Sequence, residues 1–246
     1  VKPSAYIVGE LWGASPSWVS GKYFDAVMNY RFFREPVLGF IAKGTMDAHE
    51  FDQTLAQGRL IYPEEGVRAM MNLLGSHDTE RFLTAAGGDI RKIKLAFLFS
   101  LTYVGVPTIY YGDEIGMTGG GDPDCRQPFY WRWMEEPERV SLHDYVRSLI
   151  RLRRQNPCLT QGTFERLLAQ ERIYAYRRRL GSDEVIVILN TRAKPAQVSI
   201  LLDGATRYFD LFDGTRWEPE PSNDRNVLTV SVDAMSGRLL SPEGTR

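Results

Sequence analysis

Asn72-Leu73-Leu74-Gly75-Ser76-His77-Asp78-Thr79-Glu80-Arg81 is the stretch from which the fold of this chain can be read. An apolar run (Ala69, Met70, Met71, Leu73, Leu74) stops at Gly75, and a histidine and an aspartate follow side by side. A buried parallel strand delivers polar groups to its carboxyl end in this way, where the loops of an α/β protein build active sites. Alone, the stretch also admits Asp78 as a helix N-cap and His77 as an ordinary loop histidine. Val8-Gly9-Glu10-Leu11-Trp12 and Tyr110-Tyr111-Gly112-Asp113-Glu114-Ile115-Gly116-Met117 shift the balance, because each repeats an apolar run that ends in a glycine beside acidic and aromatic groups.

Outward from there, Ser4–Val8, Phe24–Tyr30, Val67–Leu74 and Val106–Tyr111 read as strands. Residues 32–42 and 47–58 read as helix or loop, and Ile90–Val104 as a helix packed on a sheet. Gly116 to Pro128, rich in glycine, proline and aspartate, reads as a long loop. Leu142, Tyr145, Val146, Leu149 and Ile150 share one helical face, and Asn156-Pro157 ends that helix. Strands alternating with helices predict an α/β barrel or a doubly wound sheet. After Pro157 the period changes to two. Arg172–Arg177, Glu184–Leu189, Gln197–Leu202, Arg207–Phe212, Val227–Val232 and Arg238–Leu240 are short strand candidates, several separated by Gly-containing turns. They predict an all-β antiparallel sandwich over residues 158–246 after an α/β part over residues 1–157.

The 246 residues carry 30 basic and 31 acidic side chains, a net charge of −1, which argues against a nucleic-acid partner held by general electrostatics. Arg177-Arg178-Arg179 and the group Arg147, Arg151, Arg153 and Arg154 read as solvated faces. Cys125 and Cys158 form no CxxC and have no clustered histidines, which disfavours zinc; they could pair, but nothing requires it. The apolar stretch Leu95–Val106 is too short for a bilayer span, so no membrane partner is expected. The chain begins with Val1 and runs into a strand within a few residues, and so reads as a piece of a longer protein.

In a parallel barrel the strand ends converge on one mouth, so Glu10, His77 and Asp78 would meet there. Two carboxylates and a histidine beside Trp12, Tyr30, Tyr110 and Tyr111 suit a sugar. Aromatic faces stack on pyranose rings, and glycosidic cleavage needs a proton donor and a negative charge near the developing oxocarbenium ion.

These residues also carry a resemblance. Ile7-Val8-Gly9-Glu10-Leu11-Trp12 is similar to the general-acid motif of the α-amylase superfamily, glycoside hydrolase family 13. Leu74-Gly75-Ser76-His77-Asp78-Thr79 resembles its strand-seven motif, and Gly105-Val106-Pro107 through Met117 its strand-eight segment. Phe24 to Tyr30 resembles the strand-six stretch of the same group. Asp122-Pro123-Asp124-Cys125-Arg126-Gln127-Pro128 with Trp131 resembles a loop of the neopullulanases, cyclomaltodextrinases and maltogenic amylases. The resemblance implies the second half of a (β/α)8 TIM barrel, strands five to eight, over residues 1–157, followed by the C-terminal β domain. It implies retaining hydrolysis of α-1,4-glucosidic bonds in maltodextrins, cyclodextrins or pullulan by the parent enzyme. Alternatives are transglycosylation by the same site, or a non-catalytic carbohydrate-binding or scaffold protein.

Carried over by position, Glu10 is the expected general acid/base, and Asp78 binds sugar hydroxyls and stabilises the transition state. His77 hydrogen-bonds the same sugar, Asp122 and Arg126 hold a glucose one unit further toward the non-reducing end, and Trp12 borders the leaving group. The family's chemistry needs no organic cofactor, and calcium sites of some members would fall mostly in the missing half. The subgroup resemblance favours a cytoplasmic setting.

The family's nucleophile is an aspartate in a Gly-x-Arg-x-Asp setting, and no such motif occurs here. The chain is therefore expected to be inactive alone. An open half-barrel would expose strand edges, so self-association or pairing with the missing N-terminal half is expected.

Overall fold

The computed structural model describes residue 2, residues 4–204 and residues 207–244; Val1 lies outside them. Four short strands, β1 (Val8–Gly9), β2 (Ala26–Val27), β3 (Met71–Leu73) and β4 (Val106–Thr108), run parallel. β1 pairs with β2 and β3 with β4, and a bridge between Met28 and Met71 joins the two pairs into one array in chain order. All four strands are shorter than expected from the sequence. A ladder extends only as far as both neighbours supply paired backbone, and here the partners overlap for two or three residues. Val67–Ala69 is not strand at all. Pro63 and two glutamates start a helix there, Glu64–Ala69, and the strand opens only at Met71.

Helical segments connect the strands. After β2 come α1 (Glu35–Val37), flanked by the π-helical turns Tyr30–Arg34 and Leu38–Lys43, then α2 (Ala48–Ile61) and α3 (Glu64–Ala69). A capping box starts α2: Asp47 accepts from the amides of His49 and Glu50, and Glu50 accepts from the amide of Asp47. α4 (Phe82–Ala85) and α5 (Ile90–Thr102) follow β3; α6 (Pro137–Gln155) and α7 (Cys158–Gln161) come after β4.

Nine antiparallel strands follow among the described residues. They are β5 (Thr163–Gln170), β6 (Ile173–Leu180), β7 (Asp183–Asn190), β8 (Ala196–Leu202), β9 (Tyr208–Asp210), β10 (Arg216–Trp217), β11 (Glu220–Ser222), β12 (Arg225–Val232) and β13 (Ser236–Pro242). They form a six-stranded sheet, β10-β9-β13-β7-β6-β5, and a three-stranded sheet, β11-β12-β8. The molecule is thus an α/β fold with an antiparallel β region at its C-terminal end.

β6 and β7 explain how the layers hold together. Side chains alternate across a strand. Tyr174, Tyr176, Val185, Val187 and Leu189 face α5 and the first part of the chain. Ile173, Ala175, Ile186 and Ile188 face Val198, Ile200, Leu228 and Val230 of the smaller sheet. Both faces are buried, which is why these strands read as near-continuous apolar runs.

Two expectations about charge are corrected. Arg178 is fully buried and donates to the carbonyls of Thr102, Gly162 and Thr163, while Arg177 is buried against Glu165 and Glu184; only Arg179 of that run is solvated. Arg153 donates to the carbonyls of Leu101, Tyr103 and Gly105. Both guanidiniums cap the carboxyl end of α5, where carbonyls lack helical partners and the dipole favours a cation. Burial pulls the Arg153 guanidinium down to about 10. Cys125 and Cys158 are both free and buried. No helix among the described residues is long and apolar enough to cross a membrane.

Candidate active site

The carboxyl ends of the parallel strands carry the polar groups. Glu10 follows β1 directly. Gly9 before it has no room for a side chain, since a Cβ there would lie 2.6 Å from the Phe24 ring. Asn29 and Tyr30 follow β2. Asn29 donates to Asn72 of β3 at 2.9 Å, and Asn72 donates on to the Val104 carbonyl at 2.7 Å. Tyr30 is buried, donates to Ser76 Oγ at 3.0 Å, and stacks on Trp12 with ring centroids 4.0 Å apart. Burial pushes its hydroxyl above its usual pKa, so Tyr30 is a neutral donor at pH 7.

Beyond β3 the chain folds tightly. The Ser76 amide donates to Thr79 Oγ1, and the Asp78 amide to Ser76 Oγ. Arg34 brackets the turn by donating to the carbonyls of Leu74 and Glu80. His77 Nε2 lies 3.2 Å from Asp78 Oδ2 and 3.8 Å from Glu10 Oε1, and all three side chains are partly open to solvent. One ligand atom from each lies within 4.8 Å of the others, so the trio could hold a cation as well as a set of sugar hydroxyls. Asp78 caps no helix: the next one, α4, is preceded by Arg81. Trp12 is half exposed.

The loop after β4 closes on this trio. Arg126 Nη2 lies 2.9 Å from Asp78 Oδ1, and Arg126 Nε lies 2.8 Å from Asp122 Oδ1 and donates to the His77 carbonyl. Cys125 Sγ donates to the same carbonyl. All six residues singled out in the sequence thus lie at the carboxyl ends of the strands or in the loop folded over them. Their direct polar contacts link Glu10, His77, Asp78, Asp122 and Arg126, while Trp12 joins through Tyr30. A cavity of about 600 Å³ lined by Tyr6, Phe24, Asp25 and Glu65 shares no residue with this site.

Below it sit residues that the sequence did not single out. Arg81 and Asp113 are fully buried and paired at 3.0 Å. Arg81 also lies over the rings of Tyr110 and Tyr111, 4.7 and 4.9 Å from their centroids, and donates to the Tyr111 carbonyl. Burial pushes the Asp113 carboxyl up to about 7, and the Arg81 guanidinium pulls against that rise. Arg34 carries no signal in the sequence either, because its partners are the backbone carbonyls of Leu74 and Glu80, 40 and 46 residues away in the chain.

Comparison with known proteins gives the family. Residues 1–162 match the family model described as alpha amylase, catalytic domain. Neopullulanase 2 of Thermoactinomyces vulgaris is 43% identical over 244 residues, which is 98% of this chain and 40% of that protein. A cyclomaltodextrinase of Geobacillus thermopakistaniensis is 42% identical over 89% of this chain and 37% of its own length. Among solved structures, a cyclomaltodextrinase superposes with a TM-score of 0.88 at 36% identity, over 98% of this chain and 41% of its own. A debranching enzyme from Nostoc punctiforme superposes with a TM-score of 0.84 at 33% identity, over 97% of this chain and 52% of its own. The chain spans about two fifths of the length of these two curated relatives. With residues 1–162 matched to its model and relatives above 40% identity over most of the chain, this chain belongs to the α-amylase catalytic-domain family.

Proposed function

We propose that this chain carries the acid/base half of a retaining glycoside hydrolase acting on α-1,4-glucosidic bonds of maltodextrins, cyclodextrins or pullulan. The observation that carries the reading is the trio Glu10, His77 and Asp78, with Arg126 bound to Asp78. Glu10 donates a proton to the leaving glycosidic oxygen and later takes one from the incoming water. Asp78 accepts hydroxyls of the sugar being cleaved and places negative charge near its anomeric centre. Arg126 orients that carboxylate, and His77 donates to the same sugar. Asp122 and Arg126 hold the next glucose toward the non-reducing end, and Trp12 with Tyr30 forms an aromatic wall on the leaving-group side.

A double displacement also needs a carboxylate that forms the glycosyl-enzyme bond. The Gly-x-Arg-x-Asp motif that provides it in the family is absent from the sequence. The chain alone therefore binds sugar without turning it over. We take residues 1–157 as strands five to eight of a barrel and residues 158–246 as its β domain. Among the described residues no strand lies against the outer edge of β1 or of β4. Exposed Tyr6 and Ile7 lie just before β1, and exposed Val106 lies on β4. Such edges take further strands, from the rest of the protein or from a second copy.

Reducing-sugar release from maltodextrin and β-cyclodextrin, with Glu10→Gln run beside the unmodified chain, tests this reading. The expected result is no release by either protein. Release that Glu10→Gln abolishes places a working nucleophile within these residues. Release that Glu10→Gln does not alter overturns the role of Glu10.

A further inference from the structure

We propose that Arg81 is a positioning residue whose buried guanidinium holds the loop carrying Asp122 and Arg126 down onto His77 and Asp78. The proposal rests on the reading of Asp122 and Arg126 as sugar contacts, but its test does not. Besides its contacts to His77 and Asp78, four hydrogen bonds tether this loop to Arg81, Thr84, Tyr110 and Tyr111. The Arg81 amide donates to the Gly119 carbonyl, and Thr84 Oγ1 accepts from the Gly119 amide. The Tyr111 hydroxyl donates to the Gln127 carbonyl at 2.8 Å, and the Tyr110 hydroxyl to the Cys125 carbonyl at 3.4 Å. Both tyrosine rings are seated on the Arg81 guanidinium, so that one side chain fixes two of the four tethers.

As a stabilising device the site is costly. Arg81 Nε and Nη2 and Asp113 Oδ2 find no hydrogen-bond partner among the described residues. Buried polar atoms in that state cost free energy, and a buried ion pair is weak evidence for stability. Nothing larger than hydrogen fits between the turn and the pair, because a Cβ on Gly75 would lie 2.8 Å from Asp113 Oδ2. The turn that presents His77 and Asp78 and the loop that presents Arg126 therefore rest on the same two residues.

The two cysteines report on this directly. Cys125 is buried under the loop with its thiol on the His77 carbonyl; Cys158 is buried in the core at α7. Thiol labelling of the full chain under native conditions, read separately at each cysteine by mass spectrometry, separates loop opening from general unfolding. Arg81→Lys keeps a positive charge but loses the planar fork that covers both rings. It is expected to raise Cys125 labelling about tenfold with Cys158 unchanged. Tyr111→Phe, which removes one tether at a half-exposed ring, is expected to raise it about threefold. Asp113→Asn keeps an oxygen facing Arg81 and is expected to stay near the unmodified rate. Labelling of both cysteines rising together, or Cys125 unchanged in both Arg81→Lys and Tyr111→Phe, overturns the proposal. Failure of the unmodified chain to bind sugar overturns the functional reading and leaves this result standing.

Discussion

Arg126 Nη2 lies 2.9 Å from Asp78 Oδ1, so the loop after β4 fixes the carboxylate delivered by β3. Forty-eight residues separate the two in sequence. The contact makes Asp78 and the sugar-holding loop one unit, and it sets the first expectation. Removing Arg126 leaves the Asp78 carboxylate held by His77 alone among the described residues and deletes a charge-assisted hydrogen bond, worth about 1.5–3 kcal/mol when the group is not fully exposed. Solvent screening at this partly open site puts Arg126→Ala at the lower end, about a tenfold loss in maltotriose affinity by calorimetry. An unchanged affinity would show that the loop pair is ornamental to binding.

Stability should fall as pH rises toward neutrality because of Asp113. Its carboxyl is raised in the folded chain by burial, partly offset by Arg81, further raised by Glu114 and lowered by Arg34. Between the ordinary carboxylate range and about 7 the folded state holds a proton that the unfolded state has lost. Folding is therefore favoured at the acid end of that window and disfavoured as pH rises through it. Asp113→Asn should flatten this part of the urea-midpoint profile; a profile identical to that of the unmodified chain would contradict the assignment.

Arg178 and Arg179 are neighbours with opposite roles. Arg178→Ala strips a guanidinium from three carbonyls, Thr102 at the end of α5 and Gly162 and Thr163 where α7 meets β5, and should cost roughly 3 kcal/mol or more. Arg179 is solvated, and its loss should cost under about 0.5 kcal/mol. Urea midpoints of the two variants measure the difference, and equal losses would rule out the capping of α5 by Arg178.

Helix α2 depends on its capping box. Asp47→Ala should lower stability by about 1 kcal/mol, whereas an exposed change such as Gln53→Ala should stay within about 0.5 kcal/mol. Thermal unfolding of the two variants checks it.

The edges of β1 and β4 should make the chain associate. Sedimentation velocity is expected to show species larger than 28.0 kDa, with binding of an apolar dye. A monomer that binds no dye would mean that the edges are covered by the chain's own residues.

Much of this is legible in the sequence for a physical reason. Strand ends announce themselves through apolar runs stopped by glycine, so Glu10, His77 and Asp78 can be named together from the sequence alone. β6 and β7 are legible because both of their faces are buried. β5 is not. Thr163–Gln170 mixes charged and apolar residues, and its register shifts between Arg166 and Leu168, which breaks the alternation. α3 is hidden because Val67 and Ala69 run into the apolar Met70, Met71 and Leu73; the signal that marks it is Pro63-Glu64-Glu65. Arg178 reads as solvated because a charge run carries no mark of the layer that will cover it. Arg81 and Asp113 lie 32 residues apart, and only tertiary folding pairs them.

The most direct test of the site is calorimetric titration of the chain with maltotriose beside Asp78→Asn. The expected result is saturable binding by the unmodified chain, weakened about tenfold or more in the variant through loss of the charge that accepts sugar hydroxyls. No binding by the unmodified chain, or equal affinity in both, would contradict the assignment of Glu10, His77 and Asp78 as a sugar site.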